Sequence, residues 1–321
     1  MNDNKYISNK VSMNKEQVFR AIVTVEQWNH TQTVRIWSLT THRCVKILHA
    51  STDEYIMSVS LQHGFIAYSF GVHILIYRIN ITELRLCTAQ KLMETQEHRG
   101  RIESVQLLLL SDEDKQPSLV STGHDGLIKY WDLKNVTSRH TFNAQNDNVV
   151  KINCIYADRT HIASVGDDCL TVRIWSLTTH RCVKILHAST DEYIMSVSLQ
   201  HGFIAYSFGV HILIYRINIT ELRLYTAQKL METQEHRGRI ESVQLLLLSD
   251  EDKQPSLVST GHDGLIKYWD LKNVTSRHTF NAQNDSVVKI NCIYADRTHI
   301  ASVGDDCLVK ILDFATRPHQ K

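Results

Sequence analysis

Proline is almost absent from this chain, 3 in 321 residues, and glycine is sparse at 12. That scarcity excludes a proline-rich linker, a collagen-like repeat and a low-complexity tail. Net charge is lacking too. Lys and Arg number 35 against 34 Asp and Glu, so no global field draws nucleic acid or an anionic membrane. No apolar run can span a bilayer, because the longest, residues 64–79, is interrupted by His73. The N-terminus, MNDNKYISNKVSMNKEQ, is polar and lacks the apolar core of a secretory signal. No Cys-x-x-Cys pair occurs among Cys44, Cys87, Cys154, Cys169, Cys182, Cys292 and Cys307. An odd, scattered set fits reduced thiols in a cytoplasmic or nuclear protein better than a disulfide framework. In that setting the Asn-x-Thr triplets at Asn29, Asn80, Asn135, Asn218 and Asn273 read as chance matches. Helical periodicity is missing over any window long enough to matter.

What is present is a repeat. Thr33–Leu170 returns as Thr171–Leu308, 138 residues on, and only two positions differ: Cys87 is Tyr225, and Asn148 is Ser286. Sixteen of the 18 histidines are eight positions counted twice. Either a very recent duplication or an error in gene assembly produces such near-identity.

Within each copy a shorter period runs. Strands end on an aromatic at Trp37, Tyr77, Trp131, Trp175, Tyr215 and Trp269, with Leu312 in that role last. Between these markers the text reads as strand after strand, and a period near forty built of four short strands is the signature of propeller blades. LVSTGHDGLIKYWDL, Leu119–Leu133, is the clearest stretch: two strands joined by a turn at His124-Asp125-Gly126.

These residues resemble the WD40-repeat family. His98 stands where that family has its glycine-histidine signature, with Glu97 in place of the glycine, and Trp131-Asp132 is its closing pair. The resemblance covers roughly residues 20–314 and is sharpest in the third and sixth blades. It implies one all-β domain over 1–321 with four-stranded antiparallel blades. Seven blades are expected and six are the alternative. The expected seventh has three strands, with residues 1–19 (Tyr6-Ile7-Ser8) as the closing strand. Thr171, the extra residue at the duplication junction, is expected to form a bulge.

The resemblance further implies a structural hydrogen-bond chain inside the blade: His98 linking Ser121 and Asp125, with the Trp131 indole as a further donor. The second copy is His236, Ser259, Asp263 and Trp269. Blades two, four, five and seven lack the set and are expected to be less rigid. Ser51 or Thr52, Asn148 and Ser286 occupy the histidine's place in blades two, four and seven. A catalytic reading of the set is the lesser one. The pairs Asp167-Asp168-Cys169 and Asp305-Asp306-Cys307 read as turn carboxylates rather than metal ligands. Asp112-Glu113-Asp114, within the recurring insertion 107–118, reads as a solvated loop, and so does Arg99 near its flanking glutamates. No Walker, His-Glu-x-x-His or Gly-x-Ser-x-Gly motif appears, so no enzyme, metal or cofactor is expected.

Proteins of this family act as platforms for other proteins or peptides. On the face carrying His98, the candidate contact residues are Tyr55, Arg101 and His124, with copies Tyr193, Arg239 and His262. The expected function is a non-catalytic interaction scaffold, such as a substrate-receptor or adaptor subunit. Lys134 stands where receptor subunits carry arginine, and no F-box-like helical region precedes the strands. The alternatives are an RNA-associated accessory subunit of a tRNA-modifying enzyme and a poorly functional product of the duplication.

Overall fold

A computed structural model describes all residues except 1–5, 14–20, 29–30, 40, 51–53, 82–86, 109–116, 134–136, 145–150, 167–169, 189–190, 220–224, 247–254, 272–274, 282–287, 297, 307 and 314–321. The described residues form 27 strands and no helix. The strands make seven antiparallel sheets, the blades of a seven-bladed β-propeller. They fall into two compact units, Met1–His187 and Ala188–Lys321.

The first unit holds four sheets, each in simple meander order. Sheet one is β1 (Tyr6–Met13), β2 (Ala21–Trp28), β3 (Thr31–Ser38) and β4 (Arg43–His49). Sheet two is β5 (Ile56–Gln62), β6 (Phe65–Phe70), β7 (His73–Ile81) and β8 (Cys87–Thr95). Sheet three is β9 (Ile102–Leu108), β10 (Ser118–Gly123), β11 (Leu127–Asp132) and β12 (Thr137–Asn143). Sheet four is β13 (Ile152–Ala157), β14 (His161–Gly166), β15 (Thr171–Ser176) and β16 (Arg181–His187).

The second unit repeats the pattern. Sheet five is β17 (Ile194–Gln200), β18 (Phe203–Phe208), β19 (His211–Ile219) and β20 (Tyr225–Thr233). Sheet six is β21 (Ile240–Leu246), β22 (Ser256–Gly261), β23 (Leu265–Asp270) and β24 (Thr275–Asn281). Sheet seven is β25 (Ile290–Ala295), β26 (His299–Gly304) and β27 (Val309–Asp313).

Burial explains why each strand has the sequence it has. The second strand of sheet two is covered on both faces: all six residues of β6, FIAYSF, are buried. Fourth strands lie at the rim and alternate, as in β12, TSRHTFN. The cores sit between neighbouring sheets. Val34, Ile36, Ile66 and Tyr68 share one cluster, and Ile74, Ile102, Leu119 and Trp131 share the next. Side chains also bond from sheet to sheet. Ser58 and Ser60 accept from the amides of Val105 and Leu107, each at 3.0 Å. Gln106 bonds both ways with the Ala157 backbone, at 2.6 and 3.0 Å. The second unit repeats these bonds from Ser196, Ser198 and Gln244.

Two expectations need correcting. β1 pairs with β2, Tyr6 opposite Gln27 and Met13 opposite Ile22. The Tyr6 segment is therefore the first strand of sheet one rather than a closing strand for sheet seven. Thr171 forms no bulge against β14, whose ladder runs unbroken from Val165–Val172 to His161–Ser176. The bulge lies between Ile174 and Trp175 against β16. Equivalent shifts recur at Ile36/Trp37, Ile76/Tyr77, Tyr130/Trp131, Ile214/Tyr215 and Tyr268/Trp269. That bulge belongs to the blade, where it strengthens the local twist, and not to the duplication junction. β27 is the third strand of sheet seven, as expected, with Leu312 opposite Ile300 where Trp175 stands opposite Ile162 in sheet four. Its text, Leu308-Val309-Lys310-Ile311-Leu312, matches the fourth strand β16 (Val183–Leu186) behind a leucine. In its place opposite Ala301, Ile311 is 38 % exposed, whereas Ile174 opposite Ala163 is fully buried.

Candidate functional site

The turn between β10 and β11 and the approach to β9 bring the sequence-marked residues of blade three together. Ser121 is on β10 and Trp131 on β11, and both side chains are wholly buried. His98 Nδ1 lies 2.8 Å from Asp125 Oδ2, and His98 Nε2 lies 2.8 Å from Ser121 Oγ. The Trp131 indole N–H donates to the same Ser121 oxygen at 2.7 Å. Asp125 also accepts the backbone N–H groups of Arg99 and Leu127, at 3.0 and 3.2 Å. The carboxylate thus clamps the approach to β9 and closes its own turn. Burial works against its charge, but the His98 bond and charge and the two amides outweigh burial, and Asp125 is held below the usual carboxylate range.

Two glycines make this packing possible. A Cβ at Gly123 would collide with the Arg101 carbonyl, and Gly126 adopts φ +68° in the turn. Blade six repeats the chain, with His236 at 2.8 Å from Asp263, 2.7 Å from Ser259, and Trp269 at 2.8 Å from Ser259.

The constellation has the members of a Ser-His-Asp triad, but its surroundings oppose hydrolysis. His98 is 0 % exposed at its side chain, as Ser121 is overall. A lone pair of the serine oxygen is occupied by the indole. No substrate atom can reach that oxygen, and geometry and role define a triad. What the arrangement does is satisfy three buried polar side chains at once and fix the β10–β11 turn.

Sequence reasoning missed the adjoining ion pair. Glu97, in place of the resemblance's glycine, accepts from Ser138 Oγ at 2.7 Å and lies 3.4 Å from Lys129 Nζ. Lys129 is itself buried and sits 5.9 Å from the Trp131 ring centroid. The charge at position 97 is therefore the partner of a buried lysine on β11, whose pairing removes an otherwise costly unpaired charge. The signal was visible in outline, since glutamate and lysine recur together as Glu235 and Lys267, 3.5 Å apart.

The proposed contact residues divide into two groups. Arg101, His124 and Glu103 form one cluster: Arg101 Nη2 and His124 Nε2 meet Glu103 Oε1 at 2.6 and 2.7 Å. Arg239, His262 and Glu241 repeat it, at 2.6 Å each. Tyr55 stands apart, 58 % exposed immediately before β5, as does Tyr193, 65 % exposed before β17. The serine bonds place Tyr55 relative to the cluster. Ser58 meets Val105 and Ser60 meets Leu107, so β5 and β9 run side by side in one direction. Ile102 N also donates to Gly71 O at 2.7 Å, in the turn beside Ile56. Tyr55 and Arg101, each one residue ahead of its strand, thus share one end of the adjoining sheets.

Among the described residues no group of three or more His, Cys, Asp or Glu is placed to hold a metal. Asp305 accepts from Asn291 at 2.7 Å, and Asp306 accepts the Leu308 amide at 3.1 Å and pairs with Lys310 at 2.7 Å. Residues 167–169, Cys307, the acidic insertions 109–116 and 247–254, Ser51, Thr52, Lys134, Asn148 and Ser286 lie outside the described residues.

Scanned against models of known protein families, the sequence matches none. It is similar to two curated proteins named "F-box/WD repeat-containing protein 4". The Mus musculus protein is 23 % identical over 198 residues, 57 % of this chain and 45 % of that one. The Homo sapiens protein is 25 % identical over 105 residues, 30 % of this chain and 25 % of that one. The chain matches less than half the length of either relative. The seven-bladed fold and the WD repeats in the relatives' printed name agree with the resemblance to the WD40-repeat family.

Proposed function

We propose that this protein is a non-catalytic scaffold for protein–protein interaction, acting as a substrate-receptor or adaptor subunit of a larger complex. The observation that carries the reading is the exposed Tyr55 at the same sheet end as the Arg101–Glu103–His124 cluster, which stands on segments tied by His98 and Asp125. An exposed tyrosine and an arginine at one end of adjoining sheets have the composition of a binding hot spot, and a pre-fixed surface loses little affinity to ordering. The printed name of the relatives, which joins an F-box to WD repeats, supports the receptor form of the proposal.

Capture of the tagged full chain from its native cells, with partners identified by mass spectrometry, tests this. Wild type is expected to retain specific proteins at both low and high salt. A Tyr55→Ala, Arg101→Ala, His124→Ala variant with an unchanged melting profile is expected to lose them, or to bind at least about 30-fold more weakly. Unaltered partners in that variant would overturn the surface. Recovery of tRNA instead, falling steeply with salt, would overturn the scaffold reading in favour of RNA association.

A further inference from the structure

Sheet seven stops one strand short. Among the described residues no strand pairs with the outer side of β27, whereas each of the other six sheets carries a fourth strand there. β27 leaves Ile311 exposed, and Leu308 just ahead of it is 56 % exposed. An apolar strand edge of this kind is a template for pairing with another chain. The complete sheets show what a fourth strand must carry. Leu312-Asp313 holds the place of Trp131-Asp132, since Leu312 faces Ile300 as Trp131 faces Leu119. In sheet three, Ile128 faces Phe142, Lys129 faces Thr141 and Tyr130 faces His140. Arg139, in the bulge that follows, pairs with Asp132 at 2.6 Å. Sheet six repeats the set with Phe280, Thr279, His278 and the pair of Arg277 with Asp270. Sheet four keeps the pattern with Leu186 opposite Val172 and Ile185 opposite Arg173. The matching third-strand residues of sheet seven are Val309, Lys310, Ile311 and Asp313, and the Asp313 side chain is 41 % exposed.

We infer that the outer edge of β27 docks an extended, basic segment of another protein, which adds antiparallel as the fourth strand of sheet seven. The segment reads Arg, then His or Lys, then Thr or Ile, then Phe or Leu. Its last residue covers Val309, its β-branched residue lies beside the Lys310 stem, and its arginine meets Asp313. The backbone ladder supplies affinity, while the apolar contact and the Arg–Asp313 pair fix the register. A second copy of this chain fits the edge poorly. Two β27 strands side by side about a two-fold axis pair only residues whose numbers differ by an even amount. Lys310 then meets Leu312 or its own copy and never Asp313. Charge complementarity therefore favours the basic segment over self-pairing.

The test uses the full-length protein and a fluorescein-labelled peptide with the β12 sequence, TSRHTFN. Saturable binding by fluorescence polarisation is expected, with slowed amide exchange at residues 309–313. Two peptides N-methylated on alternate residues should differ, one losing binding and the other keeping it, because only alternate N–H groups of a strand face its neighbour. In the peptide, Phe142→Asp is expected to weaken binding at least about tenfold. Arg139→Glu is expected to weaken it about threefold. Asp313→Arg in the protein should then restore the Glu peptide and weaken the original one. Absence of binding up to about 1 mM, equal binding of the two N-methylated peptides, or exchange protection confined to sheets three and six overturns the proposal. Dimers of the chain that are lost in Ile311→Lys would give the edge to a second copy and overturn it as well.

Discussion

Blades three and four adjoin and are built on the same plan, yet they secure their tryptophans differently. In blade four the indole of Trp175 donates to Ser164 at 2.9 Å. Blade one has the same bond, from Trp37 to Thr24 at 2.9 Å. A hydroxyl on the second strand opposite the indole is thus the minimum device, and it satisfies one buried donor. Blade three keeps that bond and continues it through Ser121 to His98 and Asp125, and from Asp125 into two backbone amides. The extension ties the turn and the approach to the first strand onto the blade's interior. The cluster proposed to meet partners stands on those tied segments, with Arg101 on the approach and His124 in the turn. The lesson is that the histidine serves the loops more than the tryptophan.

The largest effect is expected where this tie is crowded rather than cut. Gly123→Ala drives a Cβ into the Arg101 carbonyl, which also accepts the His124 amide at 2.9 Å. Backbone must move, and a loss of roughly 3 kcal/mol in denaturant unfolding is expected, with faster hydrogen exchange at residues 98–102. An unchanged midpoint would show that blade three is not clamped there.

Next is His98→Ala, which takes the imidazole from the Asp125 carboxylate and leaves Ser121 half-satisfied. About 2 kcal/mol is expected, and the same from His236→Ala because blade six carries the same bonds. Ser164→Ala in blade four removes a partner from one indole only, for about 1 kcal/mol. The comparison is sharpened by exchange rates. His98→Ala should expose the β10–β11 turn, whereas Ser164→Ala should act on the β14–β15 ladder and spare its loops. Equal losses with equal exchange patterns would remove the distinction between the two blades.

How much of this was legible in the chain follows from how local each feature is. His98, Ser121, Asp125 and Trp131 lie within one blade and carry their spacing in the text, and the duplication prints that text twice. The rungs from Ser58 and Ser60 to β9, and from Gln106 to β13, span different blades, where serine and glutamine offer no periodic signal. Glu97 looked like a departure from the glycine-histidine pattern until its partner, Lys129 on β11, was placed. His63 and Gly64, with φ of 49° and 74°, close a two-residue turn by positive φ at both positions, a role histidine rarely announces. The first strand was misassigned for a physical reason. Counting strands leaves one spare segment and one incomplete sheet, and only the ladder from Tyr6–Gln27 to Met13–Ile22 decides where the spare goes.

Acid gives the finest probe of the same contrast. Asp125 and Asp263 are held below the ordinary carboxylate range in the folded state, where burial is outweighed by histidine and amide partners. A folded pKa below the unfolded value, about 3.9, means the native state binds fewer protons. The stability from each carboxylate is therefore complete above that unfolded value and is lost as pH falls through the lowered folded one. Wild type is expected to lose stability from about pH 4 downward, more steeply than Asp125→Asn, Asp263→Asn, which has no charge to neutralise there. At pH 7 the double variant should be the less stable of the two, and the gap should narrow as pH falls. If urea midpoints measured from pH 7 to pH 3 run parallel for the two proteins, the carboxylates are not the groups that tie the turns, and the difference between blades three and four rests on packing alone.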